Sequence, residues 1–370
     1  MVGTGLRITV SKDDFAAKLG VVARGVSTRT AVLVLGGIQL RAEADKLHLA
    51  ATDMEVSLRT SLDAQVSDEG AVVVPGRLLL DIARSLPDSD VTIEHRPDEA
   101  VVVVTAGTAT YRLHTYSAED FPRLPDVEAV ALHGVEREAL VETIARVGRS
   151  ASRDESRPVL TGILVRFEPG KVVMAATDSY RLAVKETPVE GTLPELEAII
   201  PARALLELAR IAGAAAEIQL GVHENHVVFG ADGTWLTTRR IDGQFPNYRQ
   251  LLPEQFEHEL PMPREELLEV VRRVSLMAQR NSPLRLRFAE GELTVSAITQ
   301  DVGEARESLP APFAAETLEI GFNAEFLRDG LESVESETIK FKLISPLRPA
   351  VLEGDTDDYV YLIMPIRLAG

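Results

Sequence analysis

Three copies of one pattern run through this chain, and they limit its fold more than any other feature does. Phe15, Leu19 and Val22 are spaced i, i+4, i+7, the signature of one apolar helix face. The spacing returns as Leu140, Ile144 and Val147, then as Leu267, Val271 and Val274, with offsets of 125 (15 to 140) and 127 (140 to 267). Ser11-Lys12-Asp13-Asp14 reads as a capping box ahead of the first helix, and Pro263-Arg264-Glu265-Glu266 as a proline and acidic first turn ahead of the third. Strand-like Leu47–Ala51 runs into Thr52-Asp53-Met54-Glu55, Val172–Ala176 into Thr177-Asp178-Ser179-Tyr180, and more weakly Leu293–Ala297 into Thr299-Gln300-Asp301. A second helix recurs at Pro75-Gly76-Arg77, Pro201-Ala202-Arg203 and Asn323-Ala324-Glu325. Each copy then closes on an apolar residue and a proline, at Phe121-Pro122, Phe245-Pro246 and Met364-Pro365.

A period near 125 is far longer than the ~20 to 50 residues of a stacked array, so it predicts three homologous domains, at 1–125, 126–253 and 254–370. Gly70–Val74, Val101–Thr105 and Ala109–Thr115 read as short strands. Each domain is therefore two helices on antiparallel sheets, an α+β layered design. No apolar run reaches the ~18 residues of a membrane span, and Met1–Leu6 has no basic-then-apolar pattern of a signal peptide. The absence of cysteine excludes disulfides and thiol chemistry and fits a cytoplasmic protein.

Enzymatic readings find little support. His223-Glu224-Asn225-His226 sets two histidines three apart, where a helical zinc motif needs four, and its neighbours are strand-like, so it reads as a hairpin turn. The 57 carboxylates single out no acid/base pair, and neither a Walker loop nor a dinucleotide fingerprint occurs. No catalytic residue, metal site or cofactor is expected.

Charge poses a different question. The formal net charge of −18 argues against nucleic acid as a partner, but phosphate contacts depend on where the basic residues sit. Here they keep register: Arg24 and Arg149 lie nine residues after the first anchor of their helices, and Arg146 and Arg273 six after. Arg77 and Arg203, and likewise Arg84 and Arg210, share the offset of 126 on the second helices. The third copy departs, with Glu325 where an arginine is expected. With Arg29 and Arg153, these ten arginines are the candidate DNA-facing set, a basic wall inside an acidic molecule.

The chain resembles, over essentially its full length, the bacterial DNA polymerase III beta subunit, the sliding clamp. The motifs that carry the resemblance are Thr52-Asp53-Met54-Glu55-Val56, Asp154–Gly162, Ala176–Val184, Phe245-Pro246-Asn247-Tyr248 and Met364-Pro365-Ile366-Arg367-Leu368. The resemblance implies a head-to-tail homodimer, a closed pseudo-six-fold ring of six domains with helices lining a central hole. It implies a non-catalytic processivity factor that slides on double-stranded DNA without regard to sequence. The implied partners are the polymerase III catalytic subunit, a clamp loader, and repair or translesion polymerases, each docking through a short clamp-binding peptide. Carried over residue by residue, the peptide pocket would use Leu160, Thr177, Tyr180, Arg181, Leu182, Pro246, Leu251, Leu347, Met364, Pro365, Ile366 and Arg367. Gln250 departs from the family, which often has a second basic residue there. The implied subunit contacts are Tyr111, Leu113 and Leu276.

Two other classes compete. A three-domain protein-binding scaffold that does not encircle DNA would suit the net charge and predicts scattered arginines. A carboxylate-rich metal hydrolase would need at least three ligands converging in one cleft.

Overall fold

The computed structural model describes residues 5–27, 31–125, 127, 131–190, 195–223, 225–278, 282–300 and 302–368. The first copy runs β1 (Arg7–Val10), α1 (Lys12–Val22), β2 (Gly37–Glu43), β3 (Lys46–Thr52), β4 (Val56–Asp63), β5 (Gln65–Asp68), β6 (Gly70–Pro75), α2 (Gly76–Ser85), β7 (Val91–Arg96), β8 (Val101–Ala106) and β9 (Ala109–His114). The second runs β10 (Leu132–Glu136), α3 (Arg137–Gly148), β11 (Gly162–Glu168), β12 (Lys171–Thr177), β13 (Arg181–Pro188), β14 (Glu197–Pro201), α4 (Ala202–Ile211), β15 (Glu217–His223), β16 (His226–Ala231) and β17 (Thr234–Arg239). The third runs β18 (His258–Pro263), α5 (Arg264–Ser275), β19 (Leu284–Ala289), β20 (Glu292–Thr299), β21 (Gly303–Pro310), β22 (Leu318–Phe322), α6 (Ala324–Ser333), β23 (Thr338–Leu343), β24 (Ala350–Glu353) and β25 (Tyr359–Ile363).

The anchors named above are the core faces of their helices: Phe15, Leu19, Val22, Leu140, Ile144, Val147, Leu267, Val271 and Val274 are all buried. Ser11 does occupy the N-cap of α1, but its side chain makes no capping hydrogen bond; only its carbonyl is used, by Phe15 N–H at 3.0 Å. Pro263 caps α5 with Glu265 and Glu266 in the first turn, where the positive end of the helix dipole favours them.

Each copy's strands divide between two sheets, and this explains where the compact units fall. One unit holds 1–137 with 207–240, the other 138–206 with 241–370. In the first, β4 of copy one pairs with β17 of copy two in an eight-stranded sheet ordered β10-β15-β16-β17-β4-β3-β2-β6. In the second, β13 of copy two pairs with β25 of copy three in a sheet ordered β14-β11-β12-β13-β25-β24-β23-β18. The middle copy is thus shared, because both of its half-sheets continue into a neighbour. The two remaining half-sheets are ordered β5-β1-β7-β8-β9 and β21-β20-β19-β22, so β9 and β21 each end a sheet.

The register corrects one sequence expectation. Tyr116, Ile241 and Ile366 make the same bridge, to Val73, Ile199 and Gly321 respectively. Phe121 and Phe245 follow this bridge by five and four residues, whereas Met364 precedes it by two, so Met364-Pro365 is not the third copy of the Phe-Pro closer. Its counterpart in the second copy is Arg239-Arg240.

Candidate functional site

The candidate DNA-facing arginines lie on or beside the helices, where the apolar stripe that packs inward leaves a polar face outward. In the first unit, Arg24 at the end of α1 pairs with Glu207 of α4 at 3.2 Å, and Arg210 reaches the same carboxylate at 2.5 Å. Arg77 and Arg84 on α2 are exposed, and so is Arg203 on α4, which belongs to the second unit. In the second unit, Arg149 meets Glu332 of α6 at 2.5 Å and Asp329 at 3.8 Å, and Arg272 of α5 meets Glu332 at 3.0 Å. Burial pushes the Glu332 carboxyl up, but hydrogen bonds from Arg149 and Arg272 more than offset this and hold it below the ordinary carboxylate range. Arg273 grips Glu307 of β21 through two nitrogens, at 3.0 and 2.9 Å, which lowers the Glu307 carboxyl likewise.

A cavity of about 590 Å³ in this unit is lined by Arg149, Arg153, Arg272 and Arg328, interleaved with Glu325, Asp329 and Glu332. Arg328 is absent from the sequence-derived set. The clue to it was helical spacing, since Glu325, Arg328, Asp329 and Glu332 fall at i, i+3, i+4, i+7 on one face of α6. Arg29 lies outside the described residues. Arg146 is a correction: its side chain is only 11% exposed, pairs with Glu142 at 2.6 Å and with Glu335, and lies over the Tyr359 ring. A guanidinium so enclosed serves packing within the unit and is not on an outward face.

The residues expected to form a partner pocket gather at one end of the second eight-stranded sheet. Thr177 Oγ1 donates to the Arg181 carbonyl at 2.6 Å, and Asp178 Oδ1 accepts the N–H groups of Tyr180 and Arg181 at 2.9 and 3.0 Å. With Ser179 at φ 81°, this turn pushes Tyr180 into solvent, 61% exposed. Met364 N–H donates to the Tyr180 carbonyl at 2.8 Å, which fixes the C-terminal segment beside it. Ala350 faces Ile363 across the sheet, so the 344–349 loop carrying exposed Leu347 leaves from the same end. Leu251 is exposed on a short turn anchored by buried Tyr248, which packs with Leu182 and Leu362. Ile366, Arg367 and Pro246 are exposed and Pro365 is half-buried.

Leu160, Thr177 and Leu182 are buried. Arg181 is a second correction. Its guanidinium is buried, bonded to Asp329 at 2.6 Å, Asp178 at 3.0 Å and the Arg149 carbonyl at 2.6 Å, and stacked 4.2 Å over Phe326. It ties the turn to α6, on the lining of the arginine-rich cavity. The surface that remains is apolar with a polar rim, the usual make-up of a site for a short peptide anchor.

Tyr111 and Leu113 both point inward from β9, with Leu113 buried in the first copy's own core and Tyr111 packed against it. Leu276, just past α5, is 83% exposed. His223 and His226 face each other across the expected hairpin turn.

Among the described residues, six α-helices and four antiparallel sheets carry the threefold internal repeat. The chain belongs to the DNA polymerase III beta subunit family, whose N-terminal, central and C-terminal domain profiles match residues 6–125, 134–247 and 249–367. It is 35% identical to the beta sliding clamp of Streptomyces coelicolor, over 99% of this chain and 100% of the relative. Among solved structures, the C. crescentus beta sliding clamp superposes with a TM-score of 0.93 at 27% identity, covering 100% of each chain. The Pseudomonas aeruginosa clamp bound to griselimycin gives 0.89 at 28%, covering 98% of this chain and 100% of that one. The protein is therefore a sliding clamp, a processivity factor without catalytic activity, and a scaffold working away from DNA is not favoured. Among the described residues, no helix is long and apolar enough to cross a membrane.

Proposed function

We propose that two copies of this chain close head to tail into a ring around duplex DNA, with β9 of each copy pairing with β21 of the other. The observation that carries this is a pattern completed twice and left open once. Leu49 faces Thr60, Met174 faces Lys185 and Val295 faces Glu307, so these three partners are equivalent. Thr60 pairs with Thr234 and Lys185 with Tyr359, at the start of β17 and β25. The same rule sets Ala109, at the start of β9, against Glu307 of the partner subunit. Continuing antiparallel, Tyr111 meets Ala305 of the partner subunit, Arg112 meets Glu304 of the partner subunit, and Leu113 meets Gly303 of the partner subunit. This satisfies two open sheet edges, matches a large side chain to a small one and opposes unlike charges. It also brings the buried Leu113 to the interface through its backbone, while exposed Leu276 lies at the end of α5 nearby in sequence to Met277, whose side chain reaches Gly303. Sedimentation at micromolar concentration should give a dimer, and Leu276→Asp should shift it toward monomer; a wild-type monomer would overturn the reading.

The domains divide near 125 and 253, which the limits of the three matched profiles support. DNA runs past the arginine-bearing helix faces. Because exposed ion pairs are worth only ~0–1 kcal/mol each, Glu207 and Glu332 compete with phosphate without excluding it, and loose non-specific contact lets the ring slide. Retention comes from topology. The apolar surface around Tyr180, Leu251, Leu347, Met364 and Ile366 takes short peptides of the polymerase III catalytic subunit, the clamp loader and repair or translesion polymerases, and so raises their local concentration at the primer end. The protein works in the cytoplasm.

A further inference from the structure

The junction joining the first two copies is built like the one that carries the partner surface, yet its side chains differ. Thr52 Oγ1 donates to the Val56 carbonyl as Thr177 does to that of Arg181, Asp53 Oδ1 accepts two successive N–H groups as Asp178 does, and Met54 turns the chain at φ 78° as Ser179 does at 81°. Thr238 faces Val56 and Ile363 faces Arg181, so the following residues, Arg239 and Met364, are equivalent. Glu55 replaces Tyr180, and the His223–His226 turn replaces the loop that carries Leu347.

A cavity of about 290 Å³ opens at this first junction. Met54, 58% exposed, lines it together with Pro122 and Leu124. Arg123, Arg239, His223 and His226 line it as well, and Glu55 is the one carboxylate on its described lining. A neighbouring cavity of about 880 Å³ shares Pro122, Arg123 and Leu124 and adds Arg41, Arg59 and Trp235. In a chain of net charge −18, the described linings of the two cavities carry four arginines against three glutamates, beside apolar side chains, and the smaller cavity has two arginines and two histidines to one glutamate. We propose that the first junction is a second docking groove, and that its occupant is an extended acidic peptide with apolar anchors. An extended peptide that alternates acidic and apolar residues offers partners to both the basic and the apolar side chains of this lining. A nucleic acid would want a continuous basic track, and here Glu55, Glu43 and Glu119 interrupt it. The proposal rests on the reading that the repeated junction accepts peptides.

The probe is a fluorescent heptapeptide of alternating aspartate and leucine, titrated against the intact protein by anisotropy. Arg123→Glu combined with Arg239→Glu should weaken binding at least about tenfold, as lost charge complementarity does, and uncharged Met54→Ser should weaken it as well. All three positions are exposed, and a melting curve confirms that each variant is folded. Met364→Ala should leave this peptide unaffected while weakening a glutamine-led, leucine/phenylalanine-ended one. Failure of the second peptide alone sinks the second-junction reading. The present proposal is overturned if the aspartate peptide does not bind, if the variants leave it unchanged, if Met364→Ala weakens it, if an asparagine/leucine analogue binds equally, or if an oligothymidylate displaces it.

Discussion

Replacing Asp329 by alanine should loosen the second unit through a charge that has no way out. Arg181 is 8% exposed, and Asp329 supplies its shortest carboxylate contact, at 2.6 Å. Burial alone would disfavour the guanidinium's charge, yet Tyr361, Asp329 and Asp178 outweigh it and raise its pKa. Breaking a buried pair from one side costs ~3–5 kcal/mol. Two features reduce that here: Asp178 and the Arg149 carbonyl remain, and Asp329 borders the arginine-lined cavity, through which water can enter. The expected cost is about 2–3 kcal/mol, or roughly 5–10 °C in the calorimetric transition of a unit this size. Arg181→Met removes the charge itself, so the double variant should recover at least about 1 kcal/mol of the summed losses. A loss below about 0.5 kcal/mol for Asp329→Ala, or strict additivity in the cycle, would refute the account of Arg181 as an internal tie.

Met364→Ala should weaken a glutamine-led clamp-binding peptide about tenfold, the loss of ~1–2 kcal/mol expected at a hot spot, with dimerisation unchanged by sedimentation. Glu332→Gln frees Arg149 and Arg272 from their shared carboxylate, so diffusion of the loaded ring along duplex DNA should slow at low salt and the difference should vanish at high salt. Because the folded Glu332 carboxyl sits below its ordinary 4.5, its stabilisation is complete above that value and lost as pH falls through the lower folded one; the glutamine variant should lack that acid-side loss in pH-dependent melting. Arg112→Glu and Glu304→Arg should each favour monomer, and the pair together should restore dimer in sedimentation, unless β9 and β21 meet in another register.

The helices were legible because burial enforces a 3.6-residue period, and Phe15, Leu140 and Leu267 carry it undisguised. The hairpin at His223–His226 was legible from its strand-like flanks. What the chain pattern hid was long-range pairing. Arginines in register along a helix say nothing about which acid lies opposite, so Arg146 looked like Arg273 although Glu335, from another copy, and the Tyr359 ring enclose it. Arg181 sits in a motif that reads as surface, and only the approach of α6 buries it. The two-residue motif Met364-Pro365 mimicked the earlier Phe-Pro closers by composition, while the bridges at Tyr116, Ile241 and Ile366 reveal the true alignment.

The central claim is topological closure, and the absence of cysteine makes it directly testable. In the derived register Thr110 lies opposite Arg306 of the partner subunit, and facing strand residues are ~4.5–5.5 Å apart at Cα, within disulfide reach. Thr110→Cys combined with Arg306→Cys is threaded onto linear duplex, the DNA is ligated into a circle, the thiols are oxidised and detergent is added. A doubly cross-linked dimer should stay on the circle in detergent and come free once the circle is cut. Release from the intact circle by detergent, with both disulfides formed, would contradict a ring around DNA.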